Sequence, residues 1–373
     1  MAGILDSLGS FGRLAGGGLR VLHTLACRYA GRPPRYLPVL LMFVTDHCNL
    51  RCRMCGVCEL EKLRAGEPEL STEEWFAVLD SAARLGTMLV SISGGEPLLR
   101  RDLYDIIGRA RSHGMTVHIC TNGALMTPAH AERLAAAGVS TFSISLEGPE
   151  GAHHDRVRGA GTHAAALEAI RLVREKGPGI RIGINYLITK GNFRNMPEML
   201  SFAEGIGAHQ IKFAPIHVNL LHRLKDPAAY DDLVFGPEDL PALEAELGKL
   251  RAACRGSRLL TTSDAFFDGI PDLYRAPRRF QCHAGWAVAA VDPKGRLSPC
   301  ADMEGRFSVR IRPLEEIWRS PEFHGEREKV RRCESACWDT TNTELSLRLR
   351  PAGLLGAVAQ NLRDLRFYFG KKP

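Results

Sequence analysis

Thr45-Asp46-His47-Cys48-Asn49-Leu50-Arg51-Cys52-Arg53-Met54-Cys55 follows directly on an apolar run, Leu37 to Val44. Three thiolates separated by three and then two residues can curl round one metal centre. Soft sulfur ligands select zinc, copper(I) or iron–sulfur clusters. Zinc calls for four protein ligands in a closed site, and Cys58 could complete such a set. A zinc knot of Cys48, Cys52, Cys55 and Cys58 therefore stays open at this point. The tight group of three, taken alone, would leave one iron of a cubane without a protein ligand. A position kept open at a metal points to chemistry rather than to structure.

Around this loop stand 373 residues, 45% hydrophobic and 24% charged, the balance of a globular chain with room for one large domain and a smaller one. Eleven cysteines in a chain this long are not a secreted disulfide scaffold. They cluster at 48–58 and 282–337, as metal ligands would, which implies a reducing compartment. Cys27, Cys120 and Cys254 lie outside and read as small buried hydrophobes. No stretch reaches the roughly 18 apolar residues that span a bilayer. Gly9, Gly12 and Gly16 to Gly18 break up any signal-peptide core. A cytoplasmic protein is expected. The net charge of +7 sits at the two ends, in Arg13, Arg20, Arg28, Arg32 and Arg35, and again from Arg348 to Lys372. The body between them is slightly acidic, so no nucleic-acid partner is expected.

Residues 1–36 form a basic amphipathic segment, read as two short helices split by the glycine triplet. From 37 to 217 short apolar runs alternate with helical stretches. The strands are Leu37–Val44, Met88–Ser93, Thr116–Thr121, Val139–Leu146, Ile180–Ile188 and His209–Pro215. Ser71-Thr72-Glu73-Glu74 is a capping-box start for the first long helix. Six strand–helix repeats read as an α/β protein with a parallel sheet. Residues 218–280 break the rhythm as an insertion with one helix. Phe266, Phe267 and Tyr274 there are placed to cap a pocket. Residues 281–342 form a small α+β unit of hairpin plus helix. Residues 343–373 end in a basic amphipathic helix with Leu354, Val358, Leu362, Leu365 and Phe369 on one face. Such a helix can lie on an anionic bilayer or pack on the N-terminal segment.

The second strand ends in Gly94-Gly95-Glu96-Pro97, where two glycines let a ligand approach the backbone and a carboxylate can accept from an ammonium group. The third ends in Thr121-Asn122-Gly123 and the fourth in Ser145-Leu146-Glu147-Gly148, with Arg158 shortly after. Asn185 and Lys212 could point inward from strands five and six. A second cysteine group, Cys282, Cys300, Cys333 and Cys337, brings two thiols from a hairpin and two from a short loop. That is a complete ligand set for a closed centre, zinc included. His283 and Asp302 are reserve ligands.

The C-x3-C-x2-C spacing with Met54 before the last cysteine resembles the signature of the radical S-adenosylmethionine (SAM) enzymes. The GGEP string resembles that family's SAM motif. The resemblance implies a partial (β/α)6 barrel with its site at the carboxyl ends of the strands. It implies a [4Fe–4S] cluster on Cys48, Cys52 and Cys55, and SAM held at Gly94, Gly95 and Glu96, with Asn122, Ser145 and Arg158 as further contacts. It also implies reductive cleavage of SAM to a 5′-deoxyadenosyl radical, fed by a reductant such as flavodoxin or ferredoxin. Where family members commonly have aspartate this chain has Glu147. The Cys282-x12-Gly295-x4-Cys300 arrangement is similar to the opening of the SPASM extension. With four cysteines it looks like the shortened twitch form, implying one auxiliary [4Fe–4S] cluster that carries electrons. Family habits point to a peptide or natural-product substrate. The basic ends leave a membrane lipid as the alternative, and a non-enzymatic zinc-stabilised binding protein is the reading from ligand type alone.

Overall fold

The computed structural model describes residues 2–216, 224–275, 280–335, 337–350, 353 and 358–370, with side chains omitted for 2–15 and 358–360. Leu354, the first residues of the insertion, and Lys371 and Lys372 lie outside the described residues. One nine-stranded sheet organises the chain, in the order β6-β5-β4-β3-β2-β1-β7-β8-β9. Its strands are β1 (Val39–Phe43), β2 (Leu89–Ser93), β3 (Thr116–Thr121), β4 (Thr141–Ser145), β5 (Arg181–Ile188), β6 (Gln210–Pro215), β7 (Val288–Val291), β8 (Arg296–Ser298) and β9 (Phe307–Ser308). β1 to β6 run parallel, each beside the next.

The hairpin of the second cysteine group is not a separate sheet. β7 pairs in parallel with β1, with Val39 opposite Val288 and Met42 opposite Val291, and β8 and β9 follow antiparallel. The two cysteine groups therefore share one hydrogen-bonded framework.

Between the parallel strands lie α3 (Thr72–Arg84), α4 (Leu103–Ser112), α5 (Pro128–Ala137), α7 (Thr162–Lys176) and α8 (Met196–Gly205). The capping box at Ser71 is formed: its hydroxyl accepts from Glu74 N–H while Glu74 accepts from Ser71 N–H. Residues alternate along each strand. Leu40, Met42, Val90, Ile92, Phe142 and Ile144 are fully buried under the helices. The other face, with Leu41, Ser91, His118, Asn185 and Lys212, lines a cavity of about 1650 Å³.

Four elements differ from the sequence reading. The N-terminal segment is one helix, α1 (Ala2–Ala30), running through the glycine triplet. Each glycine costs a helix about 1 kcal/mol relative to alanine, but at Gly17 a β-carbon would lie 2.9 Å from Met88 Sδ. Close approach to the barrel outweighs propensity there. The loop after Cys55 contains a short helix, α2 (Val57–Leu63), and Gly151–Arg158 forms α6, both without a strong apolar period. In the insertion, α9 (Leu240–Gly256) is followed by α10 (Asp264–Arg275). Phe266, Phe267 and Tyr274 do not cap a pocket. Phe267 stacks toward Phe213 of β6, Phe266 against Trp338, and Tyr274 donates to the Ile216 carbonyl. After β9 come α11 (Leu314–Arg319), α12 (Pro321–Arg331), α13 (Asn342–Arg348) and α14 (Val358–Phe369).

Both terminal helices pack on the barrel. Leu25 of α1 joins Leu41, Val288 and Leu349 in one apolar cluster. Arg28 donates to the Cys282 carbonyl and lies over the Trp286 ring. From α14, Tyr368 faces His118 and Lys212, and Asp364 pairs with Arg348. No described helix is long and apolar enough to cross a membrane.

Because the Ser71 cap satisfies an otherwise orphaned N–H of α3, Ser71→Ala should cost about 1 kcal/mol of stability. Urea unfolding checks this, and an unchanged midpoint would contradict it.

Candidate active site and auxiliary centre

Cys48, Cys52 and Cys55 lie on the loop from β1 to α2, at the carboxyl ends of the strands. The loop is held in shape by backbone bonds from Leu50 N–H to the Cys48 sulfur (3.5 Å) and from Cys55 N–H to the Cys52 carbonyl (3.1 Å). Burial pushes the Cys48 thiol up to about 12, with Cys52, Glu96 and Cys55 adding to the shift, and burial also raises Cys55. Two side chains reach these sulfurs from other elements, one from α6 and one from the turn after β3. Arg158 Nη1 is 3.9 Å from Cys52 Sγ, and Asn122 Nδ2 is 4.0 Å from Cys48 Sγ. Cys58 does not join the group in the same way, for its thiol donates to the Leu50 carbonyl at 3.4 Å.

Gly94 and Gly95 lie directly against this loop. Gly95 N–H donates to Thr45 O (2.7 Å) and Glu96 N–H to His47 O (2.8 Å). Gly94 has φ +141°, and its β-carbon would lie 2.5 Å from Thr45 O. At Gly95 a β-carbon would be 2.0 Å from His47 O. The Glu96 carboxylate, in contrast, turns inward and is fully buried. It accepts from Thr121 Oγ1 (2.6 Å), Asn122 N–H (2.8 Å) and Leu98 N–H (3.1 Å). The side chain thus ties the ends of β2 and β3 together, and burial raises its pKa despite these donors.

Asn122 donates to Asn49 Oδ1 and accepts from Ala124 N–H, both at 2.9 Å, which fixes its amide against the cysteine loop. Ser145 and Arg158 line the barrel cavity beside Ser93. Arg158 is carried there by α6 and pairs with Glu147, whose carboxylate is fully buried. Burial opposes the Arg158 charge, but Glu147 and the Cys52 sulfur outweigh it and raise its pKa. Glu147 therefore positions Arg158, a role its place in the sequence did not reveal. Asn185 and Lys212 line the same cavity, and Lys212 lies 5.7 Å from the Tyr368 ring.

Asp46, Glu69, Arg64 and Lys294 had no sequence signal of function. Glu69 accepts from Asp46 N–H (2.7 Å). Lys294, in the turn between β7 and β8, and Arg64 both lie 3.6 Å from Asp46 Oδ2. The hairpin of the second cysteine group thus braces the first cysteine loop.

Cys282, Cys300, Cys333 and Cys337 line one small cavity of about 40 Å³, together with Asp302 and Met303. Burial, together with Asp339 and the neighbouring thiols, pushes Cys282 up to about 11 and also raises Cys337. Cys333 is exposed at the rim. Ligand atoms of Asp302, Cys337 and Asp339 all fall within 4.8 Å of one another, so Asp339, which sequence spacing did not single out, stands beside the thiols. His283 is not part of this cavity. It is fully buried, and burial lowers its pKa to about 4.

Comparison with known proteins follows the same division. Residues 42–203 match the model of the radical SAM superfamily, and residues 282–339 match the SPASM iron–sulfur cluster-binding domain. A PqqA peptide cyclase from Granulibacter bethesdensis is 33% identical over 290 residues, covering 75% of this chain and 73% of the relative. An AdoMet-dependent heme synthase from Nitratidesulfovibrio vulgaris is 29% identical over 311 residues, covering 78% of this chain and 82% of that one. Among solved structures, Streptococcus suis SuiB bound to its precursor peptide SuiA aligns with TM-score 0.61 at 18% identity, over 81% of this chain and 69% of SuiB. The chain belongs to the radical SAM superfamily and is an enzyme with a SPASM-type iron–sulfur cluster-binding domain. That membership sets aside the non-enzymatic zinc scaffold. The three cysteines of this loop, with Arg158 reaching Cys52, Asn122 reaching Cys48 and the Cys58 thiol engaged by the Leu50 carbonyl, fit an iron–sulfur cluster that keeps one iron free of protein ligands.

Removing one partner of a buried ion pair strands the other charge at a cost of about 3–5 kcal/mol. Arg158→Met should destabilise the protein by that order in urea unfolding, and Glu147→Gln/Arg158→Met should recover most of the loss. A single variant as stable as wild type would show that Glu147 does not depend on Arg158.

Proposed function

We propose that this radical SAM enzyme modifies a peptide, held in the barrel cavity beneath the first cysteine loop. The observation that carries the reading is the cavity itself. It runs from Arg158 at the cysteine loop, past Ser145, Asn185 and Lys212 on one level of β4, β5 and β6, to Val39, Leu89 and Thr116 at the amino ends of β1, β2 and β3, and its volume leaves room for a peptide segment beside SAM. Relatives named as PqqA peptide cyclases, and SuiB with its bound precursor peptide, support that substrate class.

Cys48, Cys52 and Cys55 would hold the catalytic [4Fe–4S] cluster. Bound there, cluster and SAM would supply the radical chemistry by which a hydrogen atom is removed from substrate. The chain's own residues orient and shield. Gly94 and Gly95 let the turn after β2 close on the cysteine loop where SAM would bind, while Glu96 fixes that turn by bridging β2 and β3. Asn122, Ser145 and Arg158 offer an amide, a hydroxyl and a charge to the polar groups of SAM. Leu41 and Leu187 give the cavity wall apolar side chains that would exclude water from the reacting carbon.

Cys282, Cys300, Cys333 and Cys337 would hold a second [4Fe–4S] cluster, in our reading an electron conduit, with Asp339 next to Cys337 as a ligand able to stand in for the exposed Cys333. Eleven unpaired cysteines suit a reducing cytoplasm and a flavodoxin- or ferredoxin-class reductant.

Iron and sulfide analysis after anaerobic reconstitution, paired with 5′-deoxyadenosine release under reductant, tests the assignment. We expect about eight irons per chain, falling to about four in Cys52→Ala with loss of SAM cleavage, and about four in Cys282→Ala with SAM cleavage retained. Zinc in place of the second set of irons would remove the conduit role. Precursor peptides should raise 5′-deoxyadenosine release where a tetrapyrrole does not, and the reverse result would move the substrate to the class of the heme synthase relatives.

A further inference from the structure

The two basic ends of the chain meet at the rim of the barrel cavity, and their outward faces are apolar. On α1 the exposed residues include Leu19, Leu22, Ala26 and Tyr29, spaced three, four and three apart, which is one stripe of a helix. Leu19 is 68% exposed, Leu22 59% and Tyr29 51%. The opposite face, with Val21 and Leu25, is already used against the barrel. On α14, Leu362 and Leu365 repeat the pattern, 50% and 44% exposed, beside the exposed Arg363 and Arg366. Leu22 and Leu365 both line the cavity, so the two stripes frame one opening.

Among the described residues one face of α1 is covered and the other exposed, and an exposed hydrophobic stripe of this kind is a surface for a partner. Charge decides which partner. Arg32, Arg35, Arg363 and Arg366 are exposed around the stripes, whereas Asp364 is turned inward to Arg348. A symmetric contact with a second copy would set these arginines against their own equivalents. An anionic bilayer surface satisfies both the leucines and the arginines. No described helix can span a bilayer, which leaves contact in the interfacial plane.

We propose that the cavity rim framed by α1 and α14 docks on an anionic membrane surface. The peptide reading does not enter this argument, and the dock stands or falls without it. Docking would place the cavity mouth at the headgroup layer, where a membrane-associated substrate could enter without crossing water.

Flotation of the reconstituted holoenzyme with vesicles tests it. We expect partition onto phosphatidylglycerol/phosphatidylcholine vesicles, little onto phosphatidylcholine alone, and release as salt is raised. Arg363→Gln/Arg366→Gln should weaken partition about thirtyfold, from about 1 kcal/mol per arginine. Leu19→Gln/Leu362→Gln should weaken it by at least about tenfold, and as neither residue lines the cavity, iron content and thermal midpoint should stay at wild-type values. Equal behaviour on both lipid compositions, or arginine variants that float like wild type, would overturn the proposal. So would leucine variants that convert a dimer to a monomer while vesicle partition stays unchanged, since the surface would then belong to a second copy. The lipid and salt dependence of the wild-type protein decides the matter even if a variant folds poorly.

Discussion

The turn after β2 is pressed onto the loop that carries Cys48, Cys52 and Cys55, and the site depends on that contact. Gly94 and Gly95 have no room for a side chain, since their β-carbons would stand 2.5 and 2.0 Å from the carbonyl oxygens of Thr45 and His47. Two backbone bonds close the joint, and the Glu96 carboxylate extends it to β3 by accepting from Thr121 and Asn122. Three strand ends are thereby fixed relative to three sulfurs. A cluster and a substrate must be held to fractions of an ångström for radical transfer, and loops alone rarely give that precision.

The same joint is braced from the other side. Arg100 donates to the Val44 and Leu70 carbonyls, and Glu69 accepts from Asp46 N–H. Leu70 N–H reaches the Pro293 carbonyl of the β7–β8 turn. With Lys294 and Arg64 near Asp46, the auxiliary hairpin touches the residue two places before Cys48. Since β7 also pairs with β1, movement of the second cysteine group would be felt at the first through both a sheet register and an ion-pair network.

Much of the fold was legible because its signals are local. Apolar runs of five to eight residues, the Ser71 capping box and the Asp292-Pro293-Lys294-Gly295 turn each specify a backbone state from neighbouring residues, and the six parallel strands follow. The cysteine groups were legible for a similar reason, as their spacing is itself the signal. Longer-range features were not. The helix α1 runs on through Gly16 to Gly18, and the one glycine of the three that is pressed on a neighbour, Gly17, meets Met88 from far along the chain. Phe266 and Phe267 read as a pocket cap because aromatic composition says nothing of direction, and the Phe213 and Trp338 rings that receive them lie far along the chain. Asp339 stands two positions after Cys337 without a recognisable ligand spacing, and only folding brings Asp302 to the two of them.

Glu147 shows how a departure from a family pattern can be absorbed. The residue follows β4, and its carboxylate reaches Arg158 eleven positions later while accepting from Leu187 N–H on β5. One extra methylene over aspartate lengthens that reach. The pair is buried, so it contributes little net stability against an apolar replacement, and its value lies in direction. Held by Glu147, the guanidinium keeps one nitrogen toward Cys52 and the cavity rather than sampling solvent. Asn192 binds the Glu147 carbonyl, which fixes the carboxylate's own backbone. Arg158 is therefore a donor oriented toward the Cys52 sulfur, and its orientation is set by Glu147 and, behind it, by Leu187 and Asn192.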